Sequence, residues 1–193
     1  MAESVDQELI LKLQTGSLEA LGQLYDRYQR LVYRTALAVT GDTDSAADLL
    51  QDVFLRLYRF IDNVDPARPL EPWLYRMTTN LAYTYVKQRR RWSIPLEDLV
   101  DWFSGGGKPN TSDEVEVNEE RRRVQSAISK LPLPQRVVIV LYYLNDLSLQ
   151  EIAEVLEVPE GTVKSRLHYG RLSLRKSLGL NHEPALDLYF EMS

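Results

Sequence analysis

Apolar positions recur along the chain at the 3.6-residue spacing of amphipathic helices, and the reading is all-helical from end to end. A short helix is expected from Ser4 to Gln14, ended by Gly16, with Val5, Leu9 and Leu13 on its packed side. Ser17 is placed to cap a long second helix whose inward positions are Leu21, Leu24, Tyr28, Leu31, Val32, Ala36 and Val39, and Gly41 supplies its stop. A third helix is predicted from Asp44 to Ile61, with Ala46, Leu50, Val53, Phe54, Leu57 and Ile61 as the buried stripe. Its opposite face carries Asp48, Gln51, Asp52, Leu55, Arg56 and Arg59. After a loop with Pro66 and Pro69, Pro72 suits the first turn of a fourth helix running to about Arg91. Leu74, Met77, Leu81 and Tyr85 mark the packed side of that helix. Its other side is expected to present Tyr75, Arg76, Thr79, Asn80, Tyr83, Val86, Lys87 and Arg90.

The pattern then breaks. Residues 93–115 read as a linker interrupted by Ser104-Gly105-Gly106-Gly107-Lys108-Pro109. Gly107-Lys108 is no phosphate loop, since Pro109 stands where a Ser or Thr is required and no strand precedes it. Helical spacing resumes from about Glu116 to Leu131, and a nearly all-apolar helix from Pro134 to Leu144 is expected at the centre of a second core. Ser148 and Glu151 have the spacing of a capping box and open a helix of about two turns with Leu149, Ile152, Ala153 and Leu156 on one face. Glu157, Val158 and Pro159 make a tight connection to a last helix, with Pro159 at its first position. There Val163, Leu167, Gly170 and Leu174 share one face, while Gly161, Ser165, His168 and Leu172 line the other. The pattern divides the chain into a domain over 1–92, a linker over 93–115, a second domain over 116–178 and an acidic tail over 179–193.

Composition narrows the function. The net charge of −5 argues against indiscriminate coating of DNA, which needs a broad excess of Lys and Arg. The cations instead cluster, at Lys87 to Arg91, at Arg121 to Arg123 and along the last helix. The absence of cysteine excludes a disulfide framework and a thiolate zinc site. His168 and His182 are not spaced as a metal pair, and no nucleophile stands beside a base. No enzyme, cofactor, metal or small-molecule substrate is therefore expected. The N-terminus is acidic, and the longest apolar run, Val137 to Leu144, is too short to span a bilayer; no membrane insertion and a cytoplasmic location are expected.

Two short helices joined by a tight turn, the second with polar and basic side chains near its start, suit a DNA major groove. Arg166, Arg171, Arg175 and Lys176 put cations where phosphates would lie, which favours DNA over a plain helical hairpin. On the residues alone, Leu55 reads either as a scattered surface leucine or as an interface anchor among charges. The fourth helix likewise reads either as half-buried tyrosines beside a solvated basic run or as stacking platforms and cations for unpaired bases.

The stretch LSLQEIAEVLEVPEGTVKSRLHYGRLSLRKSL resembles the C-terminal promoter-reading domain of bacterial extracytoplasmic-function (ECF) sigma factors. DLLQDVFLRLYRF resembles the family's segment that docks on the clamp helices of the largest polymerase subunit, and PWLYRMTTNLAYTYVKQRRR its segment for melting and reading the −10 element. The resemblance spans residues 5–92 and 116–178. It implies Lys164, Ser165 and His168 as readers of −35 base edges, with Thr162, Arg166 and Arg171 on phosphates. It also implies Tyr75, Arg76, Thr79, Asn80, Tyr83, Lys87 and Arg90 at the opened −10 strand, where a flipped base is enclosed by the loop from Asn63 to Leu70. Asp48, Gln51, Asp52, Leu55, Arg56 and Arg59 would then face polymerase. The implied partners are core bacterial RNA polymerase, promoter DNA and an inhibitory anti-sigma protein. A regulator that binds duplex DNA through the same motif without polymerase is the rival reading.

Overall fold

A computed structural model describes residues 2–89 and 123–180, and among these every regular element is helical. The N-terminal half contains α1 (Ala2–Gln14), α2 (Leu18–Thr40), α3 (Thr43–Arg59), a single 3-10 turn (Ile61–Asn63) and α4 (Glu71–Arg89). The C-terminal half contains α5 (residues 123–130), α6 (Leu133–Tyr143), α7 (Leu149–Leu156) and α8 (Glu160–Leu178). Arg90, the linker over 93–115 and nearly all of the 179–193 tail lie outside the described residues, as does the start of the helix expected from Glu116.

Local chemistry sets the boundaries. The Ser17 hydroxyl accepts from the Ala20 amide at the start of α2, and Gly41 closes that helix in the left-handed region at φ 75°. Asp42 caps α3 by accepting from the Ser45 amide. At α7 the capping box is complete: the Ser148 amide donates to Glu151 at 2.8 Å, and the Glu151 amide to the Ser148 hydroxyl at 3.2 Å. Pro159 sits one position earlier than the sequence suggests, as the N-cap of α8 with extended ψ, because its fixed φ serves the turn as well as a first helical residue.

One core lies under α1 to α4. It gathers Leu9, Ile10 and Leu13 from α1, Leu24, Tyr28 and Val32 from α2, Val53, Phe54 and Leu57 from α3, and Leu70 and Leu74. Ile10 is buried and Val5, expected on the packed side, is 44% exposed; the face of α1 is turned by about one residue. A buried polar cluster pins the same helix, since the Tyr28 hydroxyl donates toward Asp6 and lies 3.0 Å from Glu71, while Arg27 pairs with Asp6 at 3.2 Å.

The second core crosses from one half to the other. Val137 to Leu141 of α6, with Ile152, Val155, Val163 and Leu167, pack in one cluster with Ala36, Leu37 and Val39 of α2 and Tyr75 and Ala82 of α4. The two helical halves of the sequence reading are present, and they also pack against each other. α6 lies on α2 and α7 lies on α4. Val155, absent from the predicted stripe of α7, is buried because that helix is covered on more than one side.

Candidate functional site

Three helical faces carry the residues singled out by sequence, and each is built differently. On α3 the buried stripe, Ala46, Leu49, Leu50, Val53, Phe54 and Leu57, turns Asp48, Gln51, Asp52, Leu55, Arg56 and Arg59 outward, and all six are exposed. Leu55 is 55% exposed in the middle of this face. Tyr58, one turn further on, is exposed beside it, and Phe60 follows. The sequence reading did not assign these two aromatics to the face; the i+3 offset of Tyr58 from Leu55 was the available signal.

On α8, Val163, Leu167 and Gly170 face inward, as their spacing requires. The fit is close at Gly170, where a Cβ would meet Ile139 Cγ1 at 3.0 Å. Lys164, Ser165 and His168 are exposed on the opposite face, and Thr162 and Arg166 are half-buried at its flanks. Lys164 is held by Glu160 one turn earlier at 3.0 Å, an exposed pair that a phosphate or base edge can displace at little cost. Arg171 has a different setting. Its Nε donates to the Tyr143 hydroxyl at 2.8 Å, and its guanidinium lies over the rings of Tyr142 and Tyr143 at 5.2 and 5.5 Å from their centroids. Packing of α8 against the end of α6 thus fixes Arg171 in place.

On α4 the predicted outward set splits in two. Arg76, Asn80, Tyr83 and Lys87 form an exposed ridge at i, i+4, i+7 and i+11, with Thr84 alongside. Tyr75, Thr79, Ala82 and Val86 form a second stripe at the same offsets, and it is covered. Thr79 is 1% exposed and donates its hydroxyl to the Tyr75 carbonyl at 2.7 Å; Tyr75 is 9% exposed. Both are corrected from the exposed positions expected of them. The reason is the neighbouring half of the chain, which lies on this stripe.

The contact is specific. The Arg76 guanidinium donates to the Glu157 carboxylate at 2.7 Å and to the Glu154 carbonyl at 3.0 Å, at the end of α7. Positive charge is favoured there by the helix dipole. Glu157 itself adopts the left-handed region at φ 53°, which a non-glycine residue rarely does. The Asn145 amide donates to the Thr35 hydroxyl at 3.0 Å. Burial pushes the Tyr75 phenol above its usual range, with Asn145 working against the shift and Glu71, Asp146 and Glu151 adding to it. Arg136, buried in α6, donates to the Val39 carbonyl at 2.8 Å and to the carbonyls of Leu131 and Ser129.

Comparison with known proteins matches residues 24–92 to Sigma-70 region 2 and residues 121–174 to Sigma-70 region 4. The ECF RNA polymerase sigma factor SigW of Bacillus subtilis is 34% identical over 186 residues, covering 91% of this chain and 98% of that protein. SigL of Mycobacterium tuberculosis H37Rv, also an ECF RNA polymerase sigma factor, is 35% identical over 158 residues, covering 80% of this chain and 86% of its own. Among solved structures, CnrH in complex with the cytosolic domain of CnrY superposes with a TM-score of 0.66 at 25% identity, over 92% of this chain and 99% of that one. The sigma factor RpoE in complex with the anti-sigma factor NepR from Bartonella quintana shares the fold at 20% identity, with a TM-score of 0.61 over 83% of this chain and 98% of that one. The two matched regions, in order along an all-helical fold, and a relative 34% identical over nearly the full length of both chains place the chain in the family of ECF RNA polymerase sigma factors.

Proposed function

We propose that this sigma factor seats on core RNA polymerase through the exposed face of α3, reads the −35 duplex with α8 and opens the −10 element along α4. The domain division at 1–92, 93–115 and 116–178 follows that assignment. The observation that carries it is Leu55, 55% exposed and ringed by Asp48, Gln51, Asp52, Arg56 and Arg59. A desolvated leucine supplies affinity while surrounding charges fix register. In the duplex, Lys164, Ser165 and His168 contact base edges and Thr162 and Arg166 contact phosphates. Arg171, stacked on Tyr142 and Tyr143, orients α8 and reaches a phosphate from that fixed position. At the opened strand Asn80 and Tyr83 supply an amide and a stacking ring, and Lys87, with Arg90 beyond the described residues, holds backbone. CnrH is seen with the cytosolic domain of CnrY and RpoE with the anti-sigma factor NepR, which supports an anti-sigma protein as the negative regulator here.

The test is run-off transcription by core bacterial polymerase on a genomic fragment library, with and without the chain. Selective initiation is the expected result. Tight duplex binding by the chain alone, with initiation unchanged, would favour a stand-alone DNA-binding regulator instead.

A further inference from the structure

Residues 61–70 connect α3 to α4 and lead directly into the helix whose ridge carries Arg76, Asn80 and Tyr83. Ile61, Val64 and Leu70 are buried in the first core, while Asp65, Ala67, Arg68 and Pro69 are exposed. The exposed part closes on itself: the Ala67 amide donates to the Asp65 carboxylate at 2.9 Å, and the Arg68 amide to the Asp65 carbonyl at 3.1 Å. Its tie to the rest of the domain comes from α1. Gln14, half-buried at the last position of that helix, donates its side-chain amide to the Ile61 carbonyl at 3.1 Å and to the Val64 carbonyl at 3.0 Å. Both hydrogens of one nitrogen are used, and the reversed amide would set its oxygen against two carbonyls. At the far end of the connection, Glu71 lies 3.0 Å from the Tyr28 hydroxyl, which donates to Asp6 of α1. α1 therefore reaches both ends of the connection, directly at one and through Tyr28 at the other. It does so from outside the matched residues 24–92.

We propose that Gln14 is a positioning residue for promoter opening: by holding the Ile61 and Val64 carbonyls it sets the exposed 65–69 turn in place to receive an unpaired base of the −10 strand. This rests on the assignment of α4, and of the connection before it, to the −10 element. Gln14 acts only through the backbone it holds. Without that tie the connection has conformers to lose when it closes on a base, and their loss weakens capture. Fixing the turn beforehand moves that cost from the encounter to folding. A base outside the helix has already given up its pairing and stacking, so a turn that still had to order itself would slow opening further. Rigidity also acts on selectivity. A loose turn adjusts to a wrong base, whereas one held to a fraction of an ångström does not.

Two substitutions test the role. Gln14→Glu keeps the shape of the side chain and turns its donor into an acceptor facing two carbonyls, while Gln14→Lys keeps a donor of similar reach. In hydrogen exchange read by mass spectrometry on the full chain, the amides of 61–70 should exchange about fivefold faster in Gln14→Glu than in the parent. Gln14→Lys should stay near the parent, and the amides of α8 should be unchanged in all three. Run-off transcription with core bacterial polymerase then compares promoter fragments, selected with the parent, that differ at single positions of the −10 or the −35 element. Gln14→Glu should narrow the base preference at one −10 position about threefold or more, with −35 preferences and polymerase capture kept, and Gln14→Lys should restore it. A plain loss of stability would instead lower transcription from every fragment alike. Unchanged exchange over 61–70 in Gln14→Glu would overturn the tie. Faster exchange with the −10 preference intact, or with −35 preferences reduced to the same extent, would overturn the role in opening alone. A parent that initiates on no fragment, or shows no preference at any −10 position, would bring down the promoter reading and this role with it, whatever the exchange shows.

Discussion

Tyr28 and Leu55 show how far a single side chain can be judged from its spacing. Tyr28 falls on the predicted inward stripe of α2, yet its hydroxyl sits between Asp6 and Glu71, partners 22 residues before it and 43 after it. Nothing local announces that. Burial, then the Asp6 hydrogen bond, then Glu71 push its phenol far above the ordinary value of 10.0. The raised value means that the neutral phenol is the form the fold favours. Its contribution is complete below about pH 10 and is lost as pH climbs through the folded value. Tyr28→Phe is expected to cost about 1–3 kcal/mol, read as a lowered midpoint in urea at pH 7, by removing the hydroxyl that bonds the buried Asp6 carboxylate and leaving Arg27 as its partner. It should also flatten the alkaline limb of the stability profile. Leu55→Ala, by contrast, removes an exposed side chain and should leave the urea midpoint within about 0.5 kcal/mol of the parent. In a pull-down it should weaken capture of core polymerase at least severalfold, and equal capture would take Leu55 out of the interface.

At the level of the helix, periodicity was readable wherever only one side was covered. Ala46, Leu50, Val53, Phe54 and Leu57 of α3 and Val163, Leu167 and Gly170 of α8 are buried as their spacing predicts, with Leu49 added to the first stripe and Leu174 only half-buried in the second, and the Ser148–Glu151 box forms in full. Ser148→Ala is expected to cost about 1 kcal/mol, seen as a lower thermal midpoint. Gly170 tests the seat of α8: a side chain there must push into the Ile139 side chain, which is 2% exposed. Gly170→Val should destabilise by about 1–3 kcal/mol and reduce −35 duplex binding with it. Lys164→Ala, on the free face, should keep the thermal midpoint and polymerase capture while reducing discrimination between promoter fragments in run-off transcription. Where two sides of a helix are covered, spacing misled. Tyr75, Thr79, Ala82 and Val86 are aromatic, hydroxyl-bearing and small in a way that serves a nucleic-acid surface or a protein contact equally. Composition could not choose between them, and the ridge through Arg76, Asn80, Tyr83 and Lys87 emerged only once the covering helix was in view.

Across the whole molecule the missing information is long-range. Thr35 and Asn145 are 110 residues apart, and Arg136 reaches a carbonyl 97 residues away. A glycine-containing interval between them gives no hint that the flanking halves meet. Because one core contains residues of both, scanning calorimetry should show a single cooperative transition for the parent chain, and Asn145→Ala with Glu157→Gln should split it into two. Arg136 bears on what happens afterwards. It bonds Val39, a terminal carbonyl of α2 with no partner inside its own helix, and it also bonds Leu131 and Ser129 on its own side. When the halves part, water takes over at Val39 and the guanidinium keeps its two near acceptors. A separation of the halves would therefore strand no charge in an apolar site, and neither half would have to unravel to allow it.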